Sequence, residues 1–252
     1  MGLVLEKIGK TLPLLYAVII MILFWWLLAL GLKSPAVPPP SEALKIFWDS
    51  MRGDLLPHLG VSLYRVLVSM FLAALTAVPL GIVLGKNPEL DSKAAPLIYL
   101  TYPVPKVVFM PVLLIVLGIG DVSKIVLITL IAFYQILITT RDAAKNLEKE
   151  YVLSVKSLGA TNRDLYRHVY LPGCLPAILT SLRLGLGTAM AVLFLVETYA
   201  THMGIGFFIM DSLSRMNYEE MFAGIIAMGL MGLLLYLILD VTEKNLCAWL
   251  HL

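Results

Sequence analysis

Residues 156–172 read KSLGATNRDLYRHVYLP, a charged stretch that lies between two long apolar segments. Its acidic and basic side chains are Lys156, Arg163, Asp164, Arg167 and His168. A charged side chain in the hydrocarbon core of a bilayer is costly unless it pairs, faces a cavity or reaches the surface. We therefore expect this stretch to lie outside the membrane, as a loop that interrupts a series of membrane spans.

The composition of the whole chain supports a membrane environment. Of its 252 residues, 60% are hydrophobic and only 14% are charged, whereas a soluble domain carries about 25% charged residues. The net charge of +2 is small and dispersed, which argues against a nucleic-acid partner. The two cysteines and four histidines are scattered without metal-ligand spacing, so we expect no metal site.

Apolar runs of roughly 20 residues are long enough to cross a bilayer as helices. We predict six such spans in an all-α integral membrane protein. Their approximate ranges are 11–32, 62–85, 94–120, 123–140, 174–199 and 221–241. The first run follows two lysines, as in a signal peptide, but it exceeds the roughly 7–15 residues of a signal core, so we expect it to be retained. Prolines predict an irregular helix over 99–112.

The distribution of Lys and Arg predicts the orientation. With six spans, the connections on the side of both termini hold eleven Lys and Arg residues, and those on the other side hold four. Positive residues stay on the cytoplasmic side, so we expect both termini and the loop 141–172 to be cytoplasmic. On the periplasmic side, 41–56 has helical spacing of apolar residues and predicts an amphipathic helix. We expect the segment 204–215 to form a surface or re-entrant element.

The loop itself predicts two short helices. Apolar residues recur every three or four positions over 142–158, and Gly159 then favours a helix end. Thr161 or Asn162 is placed to cap the next helix, which we expect to end at Leu171–Pro172. The small residues between the helices form an apolar tip suited to docking on a partner. The alternative is a plain cytoplasmic linker with two surface helices.

Here the sequence resembles a known family. Gly159, nine residues, Val169, one residue and Leu171–Pro172 match the second part of the signature loop of binding-protein-dependent ABC importer permeases. More narrowly, the stretches 157–187, 196–212 and 224–249 resemble the nitrate/sulfonate/taurine branch. One departure stands out: the Glu-Ala-Ala positions of the signature hold Leu153, Ser154 and Val155. The resemblance therefore does not carry over a contact through that glutamate, although it still implies docking.

The resemblance implies a transmembrane permease subunit of a type I importer, with the whole chain 1–252 as a single permease domain in the bacterial inner membrane. It implies two ABC ATPase subunits that hold ATP and Mg, a second permease copy, by default in a homodimer, and a periplasmic or lipid-anchored solute-binding protein. The solute would be small and anionic, and transport would proceed by alternating access. The loop would then be the ATPase-coupling site, with these contact residues: Val155, Ser157, Leu158, Gly159, Ala160, Thr161, Leu171 and Pro172.

Several charges lie within or at the edges of the predicted spans: Arg65, Lys106, Lys124, Arg183 and Glu197. Such groups either pair or reach the membrane surface, or they line a polar path through the protein. Both interpretations are open from sequence. For a substrate path the candidates are Arg65, Arg183 and Glu197.

Other functions are less well supported by the residues. GIVLGKN (81–87) has three residues between its glycines and lacks the Ser or Thr that follows Lys in a phosphate loop. No convergent catalytic constellation is apparent, so we expect a transport subunit that binds no cofactor and has no catalytic site. The alternative is a standalone secondary carrier or a membrane enzyme without an ATPase partner. The identity of the solute is open.

Overall fold

The structure is a computed structural model that describes the backbone of residues 2–251 and the side chains of residues 16–249. Within that range every regular element is helical. The helices are α1 (Gly2–Leu32), α2 (Pro40–Met51), α3 (Leu55–Lys86), α4 (Pro88–Thr101), α5 (Met110–Leu117), α6 (Asp121–Lys145), α7 (Lys149–Ser157), α8 (Asn162–Leu165), α9 (Leu171–Glu197), α10 (Ile205–Ser214) and α11 (Tyr218–Leu246). Short 3₁₀ turns cover Lys106–Phe109 and Ala248–His251, and a π turn covers Tyr166–Tyr170.

Among residues 16–249, four helical segments are long and apolar enough to cross a membrane: Leu55–Lys86, Asp121–Lys145, Asn162–Glu197 and Tyr218–Leu246. A fifth crossing is formed if α4 and the segment Lys106–Leu117 are counted together, although they are bent by 78°. The predicted first span, 11–32, falls within α1, but its residues 11–15 lie outside the part with described side chains. The count of six spans therefore stays a prediction.

The predicted third span, 94–120, is not one straight helix. The chain leaves helical structure between Thr101 and Lys106, where Pro103 and Pro105 each lack the N–H group that would donate the next helical hydrogen bond. The expected irregularity over 99–112 is thus confirmed, and the break is sharper than a kink.

Helices α3 and α6 cross at very short distance because α3 carries small residues at the contact. A Cβ atom on Gly81 would lie 2.8 Å from Cβ of Thr140, and one on Gly85 would lie 2.7 Å from Cβ of Ala144. Only glycine allows backbones to approach this closely in a membrane helix pair. The two glycines of GIVLGKN therefore serve helix packing.

The central core lies between α3, α6, α9 and α11. Its buried members include Val66, Leu127, Ile128, Leu193 and Met231. A second cluster joins Phe47 of α2 to α10 and α11. The predicted segment 41–56 is not one helix, because a turn at 52–54 separates α2 from α3. Helix α10 is also more than a surface anchor, because Ile205, Phe208 and Ile209 are buried.

Candidate functional site

The loop between α6 and α9 begins later than its sequence pattern indicates. The prediction of one helix over 142–158 is wrong, because α6 continues to Lys145 and a new helix, α7, starts at Lys149. The apolar periodicity of 142–158 runs through both helices, so the pattern gives no sign of the turn between them. The loop is therefore carried directly on the end of a long helix.

Helix α7 ends in a glycine turn that presents an apolar tip. Gly159 has φ +83°, a conformation that costs other residues about 1–2 kcal/mol. Its N–H donates to the carbonyl of Lys156 at 2.9 Å. The preceding Leu158 is 86% exposed. The predicted glycine turn is thus confirmed, and it leaves a large aliphatic side chain at the tip without cover from the described residues.

The helix that follows is capped as predicted, and Thr161 is the capping residue. The backbone N–H of Asp164 donates to Thr161 Oγ1 at 3.3 Å, and the Asp164 carboxylate accepts from the Thr161 N–H at 2.9 Å. This reciprocal capping box satisfies N–H groups that a helix start leaves unpaired. Lys86 adds a tie to α3, since its Nζ donates to Asn162 Oδ1 at 3.1 Å.

The prediction that this helix ends at Leu171–Pro172 is wrong. Helical structure runs from Asn162 through a π turn at Tyr166–Tyr170 directly into α9. The N–H of Leu171 donates to the carbonyl of Tyr166, five residues back. A widened turn of this kind re-aims the backbone just before Pro172, whose ring would clash with the preceding turn of a regular helix. The dipeptide therefore marks the entry to α9 and does not stop a helix.

An apolar cluster holds the loop against the ends of α3, α6 and α9. Val152, Val155 and Ala160 pack on buried Leu165 and Val169. Gly173 permits this packing, because a Cβ atom there would lie 2.5 Å from Leu147 Cδ1. The predicted contact residues divide into two groups. Ser157, Leu158, Gly159 and Thr161 are exposed, and Val155, Ala160, Leu171 and Pro172 are half-buried.

A groove runs beside the tip, between α7 and the start of α9. Its volume is about 470 Å³, and its lining includes Tyr151, Val155, His168, Pro172 and Trp249. Tyr151 and Leu153 are exposed on the same helix. The loop thus combines a projecting aliphatic side chain with an adjoining apolar groove, a shape that accepts a protein partner.

At the opposite end of the long helices, one polar and three charged residues form what we call the Arg65 cluster: Ser62, Arg65, Asp121 and Glu197. Arg65 Nη1 donates to Glu197 Oε1 at 2.7 Å, and its Nη2 donates to Asp121 Oδ1 at 2.6 Å. Ser62 Oγ donates to the Glu197 carboxylate at 2.8 Å. Arg65 and Glu197 are buried, while Asp121 is exposed. The geometry supports ion pairing for Arg65 and Glu197.

The Arg65 cluster also caps the start of α10. The N–H groups of Gly204, Ile205 and Gly206 donate to His58 Nδ1, Ser62 Oγ and Glu197 Oε2 at 2.8–3.0 Å. A carboxylate at a helix N-terminus is stabilised by the helix dipole. A Cβ atom on Gly206 would lie 2.7 Å from Glu197 Cβ. Position 206 therefore requires glycine, because any side chain there would collide with Glu197.

Arg183 lies apart from this cluster, and the three candidates for a substrate path do not converge. Its guanidinium pairs with Glu243 of α11, lies 3.8 Å from an Asp240 oxygen and sits 5.4 Å from the ring centre of Tyr236. Ser62 and Asp121 were not among the residues expected at this site from the sequence. Ser62 precedes Arg65 by three residues on the same helix face, a spacing that was available as a signal; the contact of Asp121 with Arg65 had no local signal.

Comparison with known proteins adds to this geometry. Residues 77–248 match the family described as the binding-protein-dependent transport system inner membrane component. The chain is 33% identical over 238 residues to the taurine transport system permease protein TauC of Escherichia coli K12, covering 91% of this chain and 86% of TauC. It is 30% identical over 239 residues to the putative aliphatic sulfonates transport permease protein SsuC of Bacillus subtilis 168, covering 94% of this chain and 86% of SsuC.

The fold is similar to that of a solved transporter subunit. An inward-facing structure of the MetNI methionine ABC transporter superimposes with a TM-score of 0.66 at 19% identity, covering 76% of this chain and 95% of that chain. At this identity the likeness concerns the fold alone. The family match spans most of the helical bundle together with the loop 141–172. The chain therefore belongs to the inner membrane components of binding-protein-dependent transport systems, as an ABC importer permease of the nitrate/sulfonate/taurine branch.

Proposed function

We propose that this permease subunit is driven through the loop 141–172, which docks on an ABC ATPase at the cytoplasmic face. The observation that carries the proposal is Leu158, 86% exposed at the end of a capped, packed loop. An isolated aliphatic tip on a rigid support fits a pocket on a partner, because burial of a leucine side chain is worth about 1.5–3 kcal/mol. Tyr151 and Leu153 extend the same surface.

Force on the tip has a short route into the membrane. Helix α6 enters the loop directly and α9 leaves it through the π turn, so both ends of the loop are long helices. The apolar cluster around Leu165 and Val169 holds the loop to α3 as well. Closure of a pair of ATPases on ATP would therefore move these helices with the loop, which is the mechanical requirement for alternating access.

Membership of the family supports a proposal for the assembly and its orientation. We propose two ATPase subunits that hold ATP and Mg, with no cofactor and no catalytic site in this chain. A second permease copy, a homodimer partner, would complete the path. The loop and both termini would face the cytoplasm, and the face formed by α2 and α10 would receive a periplasmic or lipid-anchored solute-binding protein.

We propose a small anionic solute. The relatives TauC and SsuC are named for transport of taurine and of aliphatic sulfonates, which share a sulfonate group. For this chain we propose only that the solute carries a sulfonate-type anionic group, and we do not propose a particular compound.

The test is co-purification of the permease with the ABC ATPase encoded beside it. Leu158→Asp places a charge at the tip without changing a strained backbone, and we expect the ATPase to be lost while the permease still enters the membrane. Gly159→Arg adds bulk at the same place. The matched control is Leu90→Asp, an exposed leucine in the first turn of α4, which we expect to bind the ATPase like the native protein.

Equal recovery of the ATPase with Leu158→Asp, Gly159→Arg and native protein would reject docking through this tip. Transport by the purified permease alone in liposomes, without any ATPase, would instead support a standalone carrier.

A further inference from the structure

The break in the bent span between α4 and α5 contains an unusual cation, Lys106. Its Nζ donates to the carbonyls of Thr101 and Tyr102 at 2.8 and 2.5 Å. It also lies 4.3 Å from the ring centre of Tyr134 on α6 and 5.4 Å from that of Tyr102. An ammonium group has three N–H donors, and among the described residues only these two carbonyl oxygens accept from Nζ.

Lys106 differs from the arginines of the long helices in the charge of its partners. Arg65 contacts Asp121 and Glu197, Arg141 contacts Asp91, and Arg183 contacts Glu243. Lys106 contacts only neutral groups within residues 16–249. An incoming anion would compete with carbonyl oxygens and aromatic faces at Lys106, whereas at each arginine it would have to displace a carboxylate. The exchange is therefore cheaper at Lys106 than at any of these three arginines.

The break lies beside the middle of α6, one of the helices long and apolar enough to span a membrane. Tyr134, which contacts Lys106, is thirteen residues from Asp121 at one end of α6 and eleven from Lys145 at the other. At 1.5 Å per residue these separations are about 20 and 17 Å. A lipid headgroup at the surface of a hydrocarbon core about 30 Å thick does not reach this depth, so an anion at Lys106 would have to arrive along a path through the protein.

The non-helical backbone of residues 102–105 also indicates such a path. Non-helical backbone at membrane depth occurs where protein covers it or where it lines a water-filled cavity. Residues 102–105 are non-helical and exposed on this subunit, with Tyr102 at 52%. The segment therefore faces either a second subunit or water, and both are found where a path runs between two permease copies.

We propose that Lys106 is the residue that binds the anionic group of the solute in the middle of the path. Its free N–H donates to a sulfonate-type oxygen, while the carbonyls of Thr101 and Tyr102 keep the ammonium in place. Tyr134, whose hydroxyl donates to Thr101 Oγ1 at 2.9 Å, holds the edge of this site. The inference rests on the proposed function for the class of solute and adds the residue that selects it.

The experiment measures water access and charge beside Lys106. Val104→Cys, in the exposed break, is introduced after Cys174→Ala and Cys247→Ala remove the two buried native thiols. The permease is assembled with its ATPase in membrane vesicles and treated with an anionic methanethiosulfonate, the sulfonatoethyl reagent, or a cationic one, the trimethylammonioethyl reagent. The ratio of the two reaction rates reports the local electrostatic potential.

We expect both reagents to react and the anionic-to-cationic ratio to fall about three- to tenfold when Lys106 is replaced by Met, as one nearby unit charge dictates. Lys106→Arg should keep the ratio. Lys93→Met, which removes an exposed lysine on α4 that pairs with Glu89, is the matched control and should leave the ratio unchanged. Millimolar nitrate, taurine or ethanesulfonate should slow the anionic reagent in the Lys106 protein and not in the Met variant.

Three results would overturn the proposal. No reaction at Val104→Cys with either reagent would mean that the break is dry. Reaction with an unchanged ratio in Lys106→Met, or without protection by any of the three anions, would mean that Lys106 only caps the end of α4. Equal recovery of the ATPase with Leu158→Asp and the native protein would reject the proposed function separately, because the thiol measurement is read on the permease itself.

Discussion

Arg65 and Glu197, which are 132 residues apart in sequence, form a buried ion pair with 2.7 Å between Nη1 and Oε1. The pair joins α3 to the last residue of α9. Asp121 brings in the first turn of α6, and Gly206 brings in the first turn of α10. One guanidinium and one carboxylate thus fix four helices at the end of the bundle opposite the loop 141–172.

Removal of one partner of this pair should be severely destabilising. In Arg65→Met the Glu197 carboxylate stays buried without its main counter-charge, and such a change costs about 3–5 kcal/mol. We expect loss of accumulated protein, or a marked drop in Tm of the detergent-purified permease measured by thermal unfolding. Arg215→Met is the control, because Arg215 is 50% exposed and pairs with Asp211 and Glu220 at the surface, where a pair is worth about 0–1 kcal/mol. Equal Tm values for the two variants would contradict the structural role of the pair.

Gly206 should not tolerate even a methyl group. A Cβ atom there would meet Glu197 Cβ at 2.7 Å and the Phe194 carbonyl at 2.8 Å. Backbone and a buried, hydrogen-bonded carboxylate do not move away cheaply, so we expect Gly206→Ala to cost about 1–3 kcal/mol. Gly60→Ala is the matched change in a helix with open space around the Cβ position, and it should be neutral or stabilising by up to about 1 kcal/mol. The reverse ranking in a thermal-unfolding series would reject this account of the α10 start.

The turn and the helix cap in the loop could be predicted from the sequence, but ion pairs between residues far apart in the chain could not. Gly159 and Thr161 act through their own backbone and a residue three positions away, so the glycine turn and the cap could be predicted from sequence. The pairing of Arg65 with Glu197 depends on how α3 and α9 pack, which no local pattern encodes. The break after Lys145 could not be predicted because the apolar periodicity continues across it. The π turn could not be predicted because a Leu-Pro dipeptide occurs both after the end of a helix and in the first turn of a helix.

The capping box of α8 should contribute measurably to coupling. Thr161→Val keeps the shape of the side chain and removes the hydroxyl that accepts from the Asp164 N–H at 3.3 Å. Loss of such a cap costs about 1 kcal/mol, and α8 has only one turn to absorb it. We expect weaker recovery of the ATPase and lower ATP-driven uptake from Thr161→Val, with Thr161→Ser close to the native protein. If Val and Ser variants couple equally well, the cap does not position the tip.

Substitutions at Gly159 can distinguish the effect of backbone strain from the effect of side-chain bulk. Its φ of +83° disfavours most side chains, yet a Cβ atom there would meet no atom within 4 Å. Asparagine accepts positive φ better than β-branched residues do. We therefore expect Gly159→Asn to retain ATPase binding and Gly159→Val to lose part of it, with about 1–2 kcal/mol of local strain. Affinity for the ATPase, measured by titration of the purified subunits, gives the comparison, and equal loss in both variants would show that the partner contacts position 159 itself.

A charge swap decides between pairing and a substrate-path role for Arg183. Arg183 contacts Glu243 and lies near Asp240 of α11, so Arg183→Glu gathers three carboxylates and should cost about 2 kcal/mol or more. Glu243→Arg alone should also destabilise the permease. In the double variant Arg183→Glu/Glu243→Arg the ion pair is rebuilt in reverse, and a double-mutant cycle should show a favourable coupling of about 0.5–3 kcal/mol. We expect the double variant to recover both Tm and uptake, because the pair binds α9 to α11. Recovery of Tm without recovery of uptake would instead indicate that the solute path needs a positive charge at position 183. Stability would then be restored, and only the sign of the charge facing the solute would differ from the native protein.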